Sequence, residues 1–498
     1  MKYVIGIDLG TSGVKCLLMS ENGEITGVKS AAYTPDFGAN GYVEQDPAVW
    51  WENTKKCLKA LTDANSSVKD DIVALSCSGQ MHSSVFLNEE GGVIRPAILW
   101  NDTRTTKQTK EIYNIFGGKE GVLKEVFNLA LEGFTLPKIL WLKENEPENY
   151  AKVHKVIMPK DYINFMLTGN IKTDYSDAAG TLMFDVKGRK FNEDFVNKVG
   201  IDTKILPEAI ESTGEVGVIT AALSQELGLS PSVKVIAGGA DNSCAAIGNG
   251  IVASGEAVIS VGTSGTVVAF LEDIKSEVTG AVHLFNYSYP GSMYAMGCML
   301  SAGECFNWLH RNILSGTTMD ESNVLAAKTP IGSNKLIFLP YLFGERSPYT
   351  DANARGVFFG LSSLTGKGEM ARAVMEGVAF GLKDMFLLVE GFADMKEIYI
   401  TGGGAKSELW GKIICNVINR NLKVLNVEEG PAFGAALIAG VGAGVFADFK
   451  SAKAKSMKVV KEYTPNAADA AEYEKFHAIY RRLYAANKDI FASLAELS

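Results

Sequence analysis

A short tetrapeptide that occurs twice carries the residues best suited to binding phosphate. Gly-Thr-Ser-Gly stands at residues 10–13, just after Asp8, and again at residues 262–265. Glycines allow backbone N–H groups to approach phosphate oxygens, and the hydroxyl groups can donate further hydrogen bonds. One copy alone is typical of an ordinary tight turn, whereas the repetition favours two phosphate-binding loops. Asp8, at a predicted strand end, is placed to orient a phosphate-bound Mg²⁺, directly or through water.

Asp241 is the candidate general base. It follows a predicted strand at residues 233–237 and the glycine pair at 238–239, so its carboxylate is expected at the end of that strand. An aspartate in this position can instead cap the following helix, and in isolation the sequence does not separate these two interpretations. The two phosphate loops elsewhere in the chain favour the interpretation of Asp241 as a general base.

Two loops that follow predicted strands offer groups for a sugar pocket. They are residues 78–82, which include Met81 and His82, and residues 99–102, which include Trp100. Such a pocket needs a few convergent polar groups beside an apolar or aromatic wall. Taken singly, the histidine is more typical of a structural residue and the tryptophan of a core residue. Their occurrence together favours a binding site.

Two glycine-rich segments of the second half resemble other nucleotide motifs. Residues 398–407 have the strand, glycine and helix pattern of a dinucleotide site, with Glu428 beyond the next strand. Ser407 replaces the third glycine of that motif, so a loop over the adenosine of ATP is the favoured interpretation. Residues 360–367 resemble a Walker loop, but Gly368 stands where a Ser or Thr is required. We therefore reject a Walker loop.

Strand and helix patterns alternate around these motifs. Helical spacing at residues 47–61 precedes a strand pattern at 72–77, and helical spacing at 369–389 precedes a strand pattern at 397–400. Each tetrapeptide lies between two strand-like runs, so the repetition predicts a duplicated α/β domain. The apolar run 433–447 is shorter than the roughly 20 residues that a membrane helix needs, which favours a buried core helix.

The length of the chain also predicts more than one domain. With 498 residues, it exceeds the roughly 250 to 300 at which a single core stops growing. We place the boundary in the glycine-rich segment 238–255. The predicted units are a first domain at 1–246, a second at 247–445 and a helical extension at 446–498 that packs on the second domain and contains an amphipathic terminal helix.

Composition excludes several classes of function. The formal net charge is −9 with no cluster of basic residues, so neither nucleic acid nor a membrane surface is an expected partner. Asp8 comes too early for the apolar core of a secretory signal, so we expect a cytoplasmic protein. The seven cysteines form no C-x-x-C pair and do not cluster with histidines, and we expect reduced, mostly buried thiols.

Over nearly its whole length the chain resembles the FGGY carbohydrate kinases. One family signature matches residues 133–145, from Gly133 through Pro137 and Lys138 to Asn145, and the other matches residues 356–376. Within the family, the chain is similar to the subfamily that phosphorylates D-xylulose at the segments 79–82, 98–102, 159–162 and 176–181. One departure is Phe433, where the family pattern has a smaller leucine.

The resemblance implies an α/β fold of two actin-like ATPase (ribonuclease H-like) domains with a nucleotide-binding cleft between them. It implies ATP and Mg²⁺ as cofactors, sugar bound by the first domain, nucleotide bound mainly by the second, Asp241 as the catalytic base and Asp8 as the metal residue. The residues expected at the sugar, from the two loops and the resemblance together, are Met81, His82, Trp100, Asn101, Asp102, Asp241 and Asn242. The residues expected to hold ATP are Thr11, Ser12, Gly262, Thr263, Ser264, Gly303, Asn307, Gly404 and Ser407.

The expected activity is phosphorylation of D-xylulose at its C5 hydroxyl, and two alternatives remain open. A kinase of the same family could act on another ketose, a polyol or an aldonate, because one hydroxyl's orientation depends on fine pocket shape. An actin-like or chaperone-like ATPase would use the same fold to switch a binding surface. The sequence leaves the oligomeric state open, with a homodimer as one option.

Overall fold

The computed structural model describes residues 1–427 and 429–497. Glu428, named above in the dinucleotide alternative, lies outside these residues.

Each half of the chain contains one large mixed sheet. The strands of the first half are β1 (Tyr3–Leu9), β2 (Gly13–Ser20), β3 (Ile25–Ala32), β4 (Asp36–Phe37), β5 (Val43–Gln45), β6 (Ile72–Gly79), β7 (Val85–Leu87), β8 (Ala97–Ile98), β9 (Lys155–Ile157), β10 (Lys172–Asp174), β11 (Phe184–Asp185), β12 (Lys190–Phe191), β13 (Glu208–Ile210), β14 (Glu215–Val218) and β15 (Lys234–Ala240).

The helices of the first half connect these strands and cover the sheet. They are α1 (Pro47–Ala64), α2 (Thr106–Phe116), α3 (Lys119–Val126), α4 (Thr135–Asn145), α5 (Pro147–Tyr150), α6 (Pro159–Thr168), α7 (Tyr175–Ala179), α8 (Glu193–Lys198), α9 (Ala221–Leu227) and α10 (Asp241–Gly248).

The second half has fewer strands and longer helices. Its strands are β16 (Glu256–Val261), β17 (Gly265–Leu271), β18 (His283–Asn286), β19 (Met293–Met299), β20 (Ile337–Leu339), β21 (Val357–Phe359), β22 (Glu397–Thr401), β23 (Leu422–Leu425) and β24 (Val459–Tyr463). Its helices are α11 (Gly303–Asn312), α12 (Met319–Lys328), α13 (Lys367–Glu390), α14 (Glu408–Ile418), α15 (Gly430–Gly442), α16 (Phe449–Ser456) and α17 (Ala467–Glu496).

The two large sheets repeat one topology. In the first, the order is β14-β15-β6-β1-β2-β3; in the second, read in the same direction, it is β24-β23-β22-β16-β17-β19, with β18 as an additional strand beside β19. Strand β1 pairs antiparallel with β2 and parallel with β6, and β16 pairs in the same way with β17 and β22. Each tetrapeptide forms the turn of its β-hairpin. The duplication predicted from the tetrapeptides is confirmed, and the fold is that of two actin-like ATPase domains.

Helices α10 and α15 cross in close contact between the two halves. Although α15 comes late in the chain, it packs against β1, β2, β6 and β15 of the first sheet as well as against α10. A Cβ atom on Gly434 would lie 1.8 Å from the carbonyl oxygen of Cys244, and one on Gly6 would lie 1.9 Å from that of Ala432. Only glycine permits such an approach of backbones. Phe433 is fully accommodated in this core.

The run 433–447 therefore contains most of a buried core helix, as predicted. No helix in the part of the chain that the structure describes is both long and apolar enough to span a bilayer. All seven cysteines are free thiols, and every one except the half-buried Cys298 is buried.

The second family signature ends in a buried polar network that fixes the terminal helix. Glu376, on α13, accepts hydrogen bonds from Arg372 Nε (2.8 Å) and from the hydroxyl of Tyr473 on α17 (3.0 Å). Its other oxygen accepts from Ser333 Oγ at 2.9 Å. Buried charges are stable only when they are paired and hydrogen-bonded, so this glutamate joins three segments of the second half.

Candidate active site

A cavity of about 240 Å³ opens between residues of both halves. This volume is below the roughly 300 to 1,000 Å³ of pockets for drug-sized ligands, which suits a small sugar. The lining residues from the first half are Met81, His82, Trp100, Leu131, Gly133, Phe134, Asp241 and Asn242. Those from the second half are Ser264, Thr266, His283, Phe285, Met296, Cys298 and Arg346.

His82 is held in one orientation and one tautomer. It adopts a positive φ of 65°, and its Nδ1 lies 2.5 Å from the carbonyl oxygen of Gly180. Burial lowers its pKa to about 3, so the ring is neutral near pH 7. Because a carbonyl can only accept, Nδ1 must carry the proton, which leaves Nε2 as a hydrogen-bond acceptor.

Lys138 fixes two segments of the cavity wall at once. Its Nζ donates to the backbone oxygen of His82 (3.0 Å) and to that of Gly133 (2.6 Å). The side chain is fully buried, and burial places its pKa well below the usual range for lysine. This residue of the first family signature therefore shapes the sugar cavity without lining it.

Asp241 is the first residue of α10, and the structure does not use it as a helix cap. The N-cap position is occupied by Ala240, whose backbone N–H donates to Ser176 Oγ at 2.9 Å. The Asp241 carboxylate instead accepts from the backbone N–H of Asn242 (2.7 Å) and from its Nδ2 (3.0 Å). Burial raises the pKa of Asp241 to about 7, and the charge of Asp8 adds to this increase.

The glycine pair before Asp241 forms part of β15, whereas the sequence predicted a strand that ends at residue 237. Strand β15 continues to Ala240 and carries a register irregularity opposite β6 between Ile236 and Gly239. Gly238 has a φ of 76°, and a Cβ atom there would lie 1.9 Å from the carbonyl oxygen of Cys77. A positive φ and a close backbone both require glycine, so the strand itself directs Asp241 into the cleft.

Asp8 lies at the end of β1 with spare acceptor capacity. Its Oδ1 accepts one long hydrogen bond, 3.3 Å, from Ser78 Oγ. Burial raises its pKa to about 6, while Lys15 nearby acts in the opposite direction and Glu429 in the same direction. Lys15 and Glu429 form an ion pair at 2.6 Å. The carboxylate therefore lies in a charged part of the cleft.

A second cavity, of about 610 Å³, lies in the second half and has the size for a nucleotide. It brings together six residues predicted to hold ATP, which are Gly262, Thr263, Gly303, Asn307, Gly404 and Ser407. The backbone N–H of Gly303 donates to Gly262 O at 2.7 Å, so the start of α11 is fixed to the phosphate loop. Ser407 caps α14, and its hydroxyl donates to Asn323 at 2.9 Å.

The turn 262–264 lies between the two cavities. Gly262 and Thr263 line the larger one, whereas Ser264 lines the smaller one together with Asp241. The sequence placed all three residues at the phosphates. The structure instead puts Ser264 on the sugar side of the turn.

The turn of the first hairpin is connected to the sugar cavity through Trp100. The indole Nε1 of Trp100 donates to Thr11 Oγ1 at 2.9 Å, and that hydroxyl donates to Gln80 Oε1 at 3.3 Å. The Thr11 hydroxyl proton is therefore already engaged. Ser12 is exposed in the same turn, so its hydroxyl remains accessible to a ligand.

The structure does not bring Asn101 or Asp102 into the wall of the sugar cavity. Asp102 is fully buried, forms an ion pair with Arg104 at 2.7 Å and accepts from the backbone N–H of Val43 at 2.6 Å. Its position is that of a counter-ion which fixes the loop after Trp100. The sugar contacts predicted for these two residues are thus not supplied by the cavity wall.

Sequence reasoning missed the contribution of the second half to the sugar cavity. Thr266, His283, Phe285 and Cys298 lie on strands of the second sheet, and Arg346 lies in the segment between β20 and β21. No motif marked them. A ring contact between Phe134 and His283, with centroids 6.3 Å apart, joins the two walls. Phe134 belongs to the first family signature, which is the one signal that could have identified it.

In the described residues, no group of three or more His, Cys, Asp or Glu side chains is arranged to hold a metal ion. Mg²⁺ usually keeps several waters and binds through one or two carboxylates plus substrate phosphates. Asp8, with its spare acceptor capacity, fits such a site.

Comparison with known proteins assigns the chain to a class of enzyme. Residues 3–248 match the N-terminal domain and residues 257–443 the C-terminal domain of the FGGY family of carbohydrate kinases. The chain therefore belongs to the FGGY family of carbohydrate kinases. It is 40% identical to a xylulose kinase of Lactococcus lactis, over 100% of this chain and 99% of that protein.

Two solved structures from Lactobacillus acidophilus are similar to this chain to nearly the same degree. A xylulose kinase is 28% identical with a TM-score of 0.93, covering 99% of this chain and 100% of that one. A gluconate kinase is 29% identical with a TM-score of 0.92, covering 100% of both chains. The fold of the whole chain is therefore shared with two solved kinases.

Proposed function

We propose that the protein transfers the γ-phosphoryl group of ATP to the C5 hydroxyl of D-xylulose. The observation that carries this proposal is the turn 262–264, which lines the nucleotide-sized cavity on one side and the sugar-sized cavity beside Asp241 on the other. A phosphoryl donor in the larger cavity and an acceptor in the smaller one would therefore both lie against this turn. The choice of D-xylulose is supported by relatives that are named xylulose kinase and match the chain over nearly its full length.

Asp241 is the proposed base. An alcohol is a poor nucleophile near neutral pH and must lose its proton as the bond to phosphorus forms. With a pKa of about 7, Asp241 is partly ionised at neutral pH and takes up a proton more readily than an ordinary aspartate. The adjacent Asn242 holds its carboxylate in place by two hydrogen bonds.

The phosphates are proposed to bind at the two hairpin turns. Backbone N–H groups of such turns bind phosphate oxygens at little entropic cost because they are already fixed. Most of the acceleration of phosphoryl transfer comes from positioning and charge stabilisation of this kind. The residues that carry this role are Thr11, Ser12, Gly262 and Thr263, with Ser264 at the point of transfer and Gly303, Asn307, Gly404 and Ser407 at the nucleoside.

Asp8 is the proposed residue for Mg²⁺. When bound, the ion would neutralise charge on the phosphate groups. Met81, His82 and Trp100 are proposed to contact the sugar, with His82 Nε2 accepting a hydrogen bond from a hydroxyl group. Asp102 would then act indirectly, by fixing the loop that follows Trp100.

A coupled assay of ADP release across a sugar panel tests the proposal. We expect the highest kcat/KM for D-xylulose among ketopentoses, polyols and aldonates, and no comparable ADP release without sugar. Glycerol, L-ribulose or gluconate as a better substrate would refute the choice of sugar. ADP release that is independent of sugar would favour the ATPase alternative.

A further inference from the structure

The second half supplies one cation to the sugar cavity. Arg346 lies between β20 and β21 and lines the cavity beside His283 and Cys298. Its guanidinium has no hydrogen bond or ion pair with any residue in the described ranges 1–427 and 429–497. A guanidinium has five N–H donors and no acceptor. An unpartnered one in a cavity wall therefore points to a ligand atom that accepts.

The neighbouring carboxyl group does not neutralise this cation. Glu345 is buried, and its Oε1 accepts from the backbone N–H groups of Arg346 (2.7 Å) and Leu300 (3.3 Å). Burial raises the pKa of Glu345 to about 8, so this group is mostly uncharged near pH 7. The positive charge of Arg346 is thus left for the cavity.

Arg346 lies beside the two histidines of the cavity. Its charge contributes to the lowered pKa values of His82 and His283, both about 3. Burial and the charge of Asp8 raise the pKa of Asp241, and the hydrogen bond from the backbone N–H of Asn242 lowers it. The cavity wall is therefore electrostatically polarised. It carries the acidic Asp241, and it also carries the cationic Arg346 beside two neutral histidine rings.

The chemistry of a C5 phosphorylation, on which this inference rests, selects an open-chain sugar. A 2-ketopentose closes its five-membered ring through O5, so O5 can receive a phosphoryl group only when the ring is open. In the open chain, C2 carries a carbonyl oxygen, which accepts hydrogen bonds and cannot donate them. A side chain that only donates hydrogen bonds, such as a guanidinium, complements that carbonyl oxygen, which lies away from the C5 hydroxyl group and its base.

We propose that Arg346 is a specificity-determining residue that donates to the C2 carbonyl oxygen of the open-chain ketose. A polyol carries a hydroxyl group at C2, so it gains less from a charged donor. Arg346 would thus distinguish ketoses from their reduced forms.

The test compares D-xylulose with xylitol, its C2-reduced form, in the full-length protein. For Arg346→Met we expect kcat/KM for D-xylulose to fall about 10- to 100-fold, as for the loss of a hydrogen bond to a charged group. The inhibition constant of xylitol should change much less. Arg346→Lys keeps the charge without the planar fork and should restore part of the loss. Since the Arg346 guanidinium has no hydrogen-bond or ion-pair partner among the described residues, the melting temperature should not change.

Arg482→Met is the matched control, because Arg482 is an exposed arginine of α17. It should leave both sugars unaffected. An equal loss for D-xylulose and xylitol in Arg346→Met, or no loss for D-xylulose, would overturn the inference while the activity of the parent protein stands. A parent protein without D-xylulose turnover would overturn the proposed function and this inference with it.

Discussion

Replacing Asp241 by asparagine distinguishes two roles of this residue, that of a general base and that of a helix cap. The amide keeps the shape of the side chain and an oxygen for the backbone N–H of Asn242, now 2.7 Å away, but it cannot take up the sugar's proton. A positioned base contributes about 10² to 10⁴ in rate. We therefore expect kcat to fall by at least about two decades in Asp241→Asn and in Asp241→Ala. Binding of ATP should survive, since the turns 10–13 and 262–265 are untouched.

The same substitution should stabilise the unliganded protein at pH 8. The pKa of Asp241 rises from 3.8 to about 7 on folding, so the folded state holds this proton to a higher pH than the unfolded state does. The resulting penalty is absent below about pH 4, grows as the pH rises towards 7 and is complete above it. The shift is about three pKa units, and one unit corresponds to about 1.36 kcal/mol, so the neutral amide should gain about 4 kcal/mol at pH 8.

The assay pairs a thermal melt with kcat on the same samples at several pH values. Asp46→Ala is the control for a true cap, because Asp46 caps α1 by accepting from the backbone N–H of Ala48 at 2.9 Å. Loss of such a cap costs about 0.5 to 2 kcal/mol of stability and should leave turnover per folded molecule unchanged. At pH 8 the melting temperature should thus rise in Asp241→Asn and fall in Asp46→Ala, whereas kcat should fall only in Asp241→Asn.

Two results would refute this reasoning. Turnover of folded Asp241→Asn within about tenfold of the parent would be less than a general base contributes, and Asp241 would not be the base. A lower melting temperature at pH 8, of the size seen for Asp46→Ala, would show that burial does not penalise the charged form of Asp241.

Three further predictions concern the rest of the site. Because Asp241 must be ionised to act, kcat/KM for the sugar should fall about tenfold per pH unit below pH 7, and a profile that stays flat to pH 5 would contradict this. Asp8→Ala should lose most turnover yet bind D-xylulose as the parent does, since Asp8 lies outside the sugar cavity. Calorimetry measures that binding, and loss of sugar binding in folded protein would argue against the metal role of Asp8. Lys138→Met should raise KM for the sugar without raising KM for ATP, because the carbonyls of His82 and Gly133 lose their donor; equal effects on both constants would mean general unfolding.

The parts of the fold that depend on local sequence were predictable. The repeated tetrapeptides gave both hairpin turns, and the helix predicted at 47–61 is α1 (Pro47–Ala64). The amphipathic terminal helix predicted within the extension 446–498 is α17 (Ala467–Glu496). These features follow from hydrophobic periodicity and turn residues that lie close together in the chain.

The site was less predictable where long-range packing decides which way a side chain faces. Asp102 follows Trp100 by two residues, yet it turns inward to Arg104 while Trp100 reaches the cavity. Ser264 follows Thr263 directly and lies in the other cavity. Arg346 reaches the sugar cavity only because two distant halves meet, and no local spacing in the sequence contains that information.

The glycine contact between α10 and α15 has a consequence for the order of events in a catalytic cycle. Helices that touch backbone to backbone interlock few side chains there, so we expect any rotation of one half against the other to have its axis at this contact. Asp241 begins α10 and lies near that axis, where displacements are smallest. Arg346 and His283 belong to the second half and would travel further. The proton acceptor would then already be in position while the opposite wall closes over the sugar.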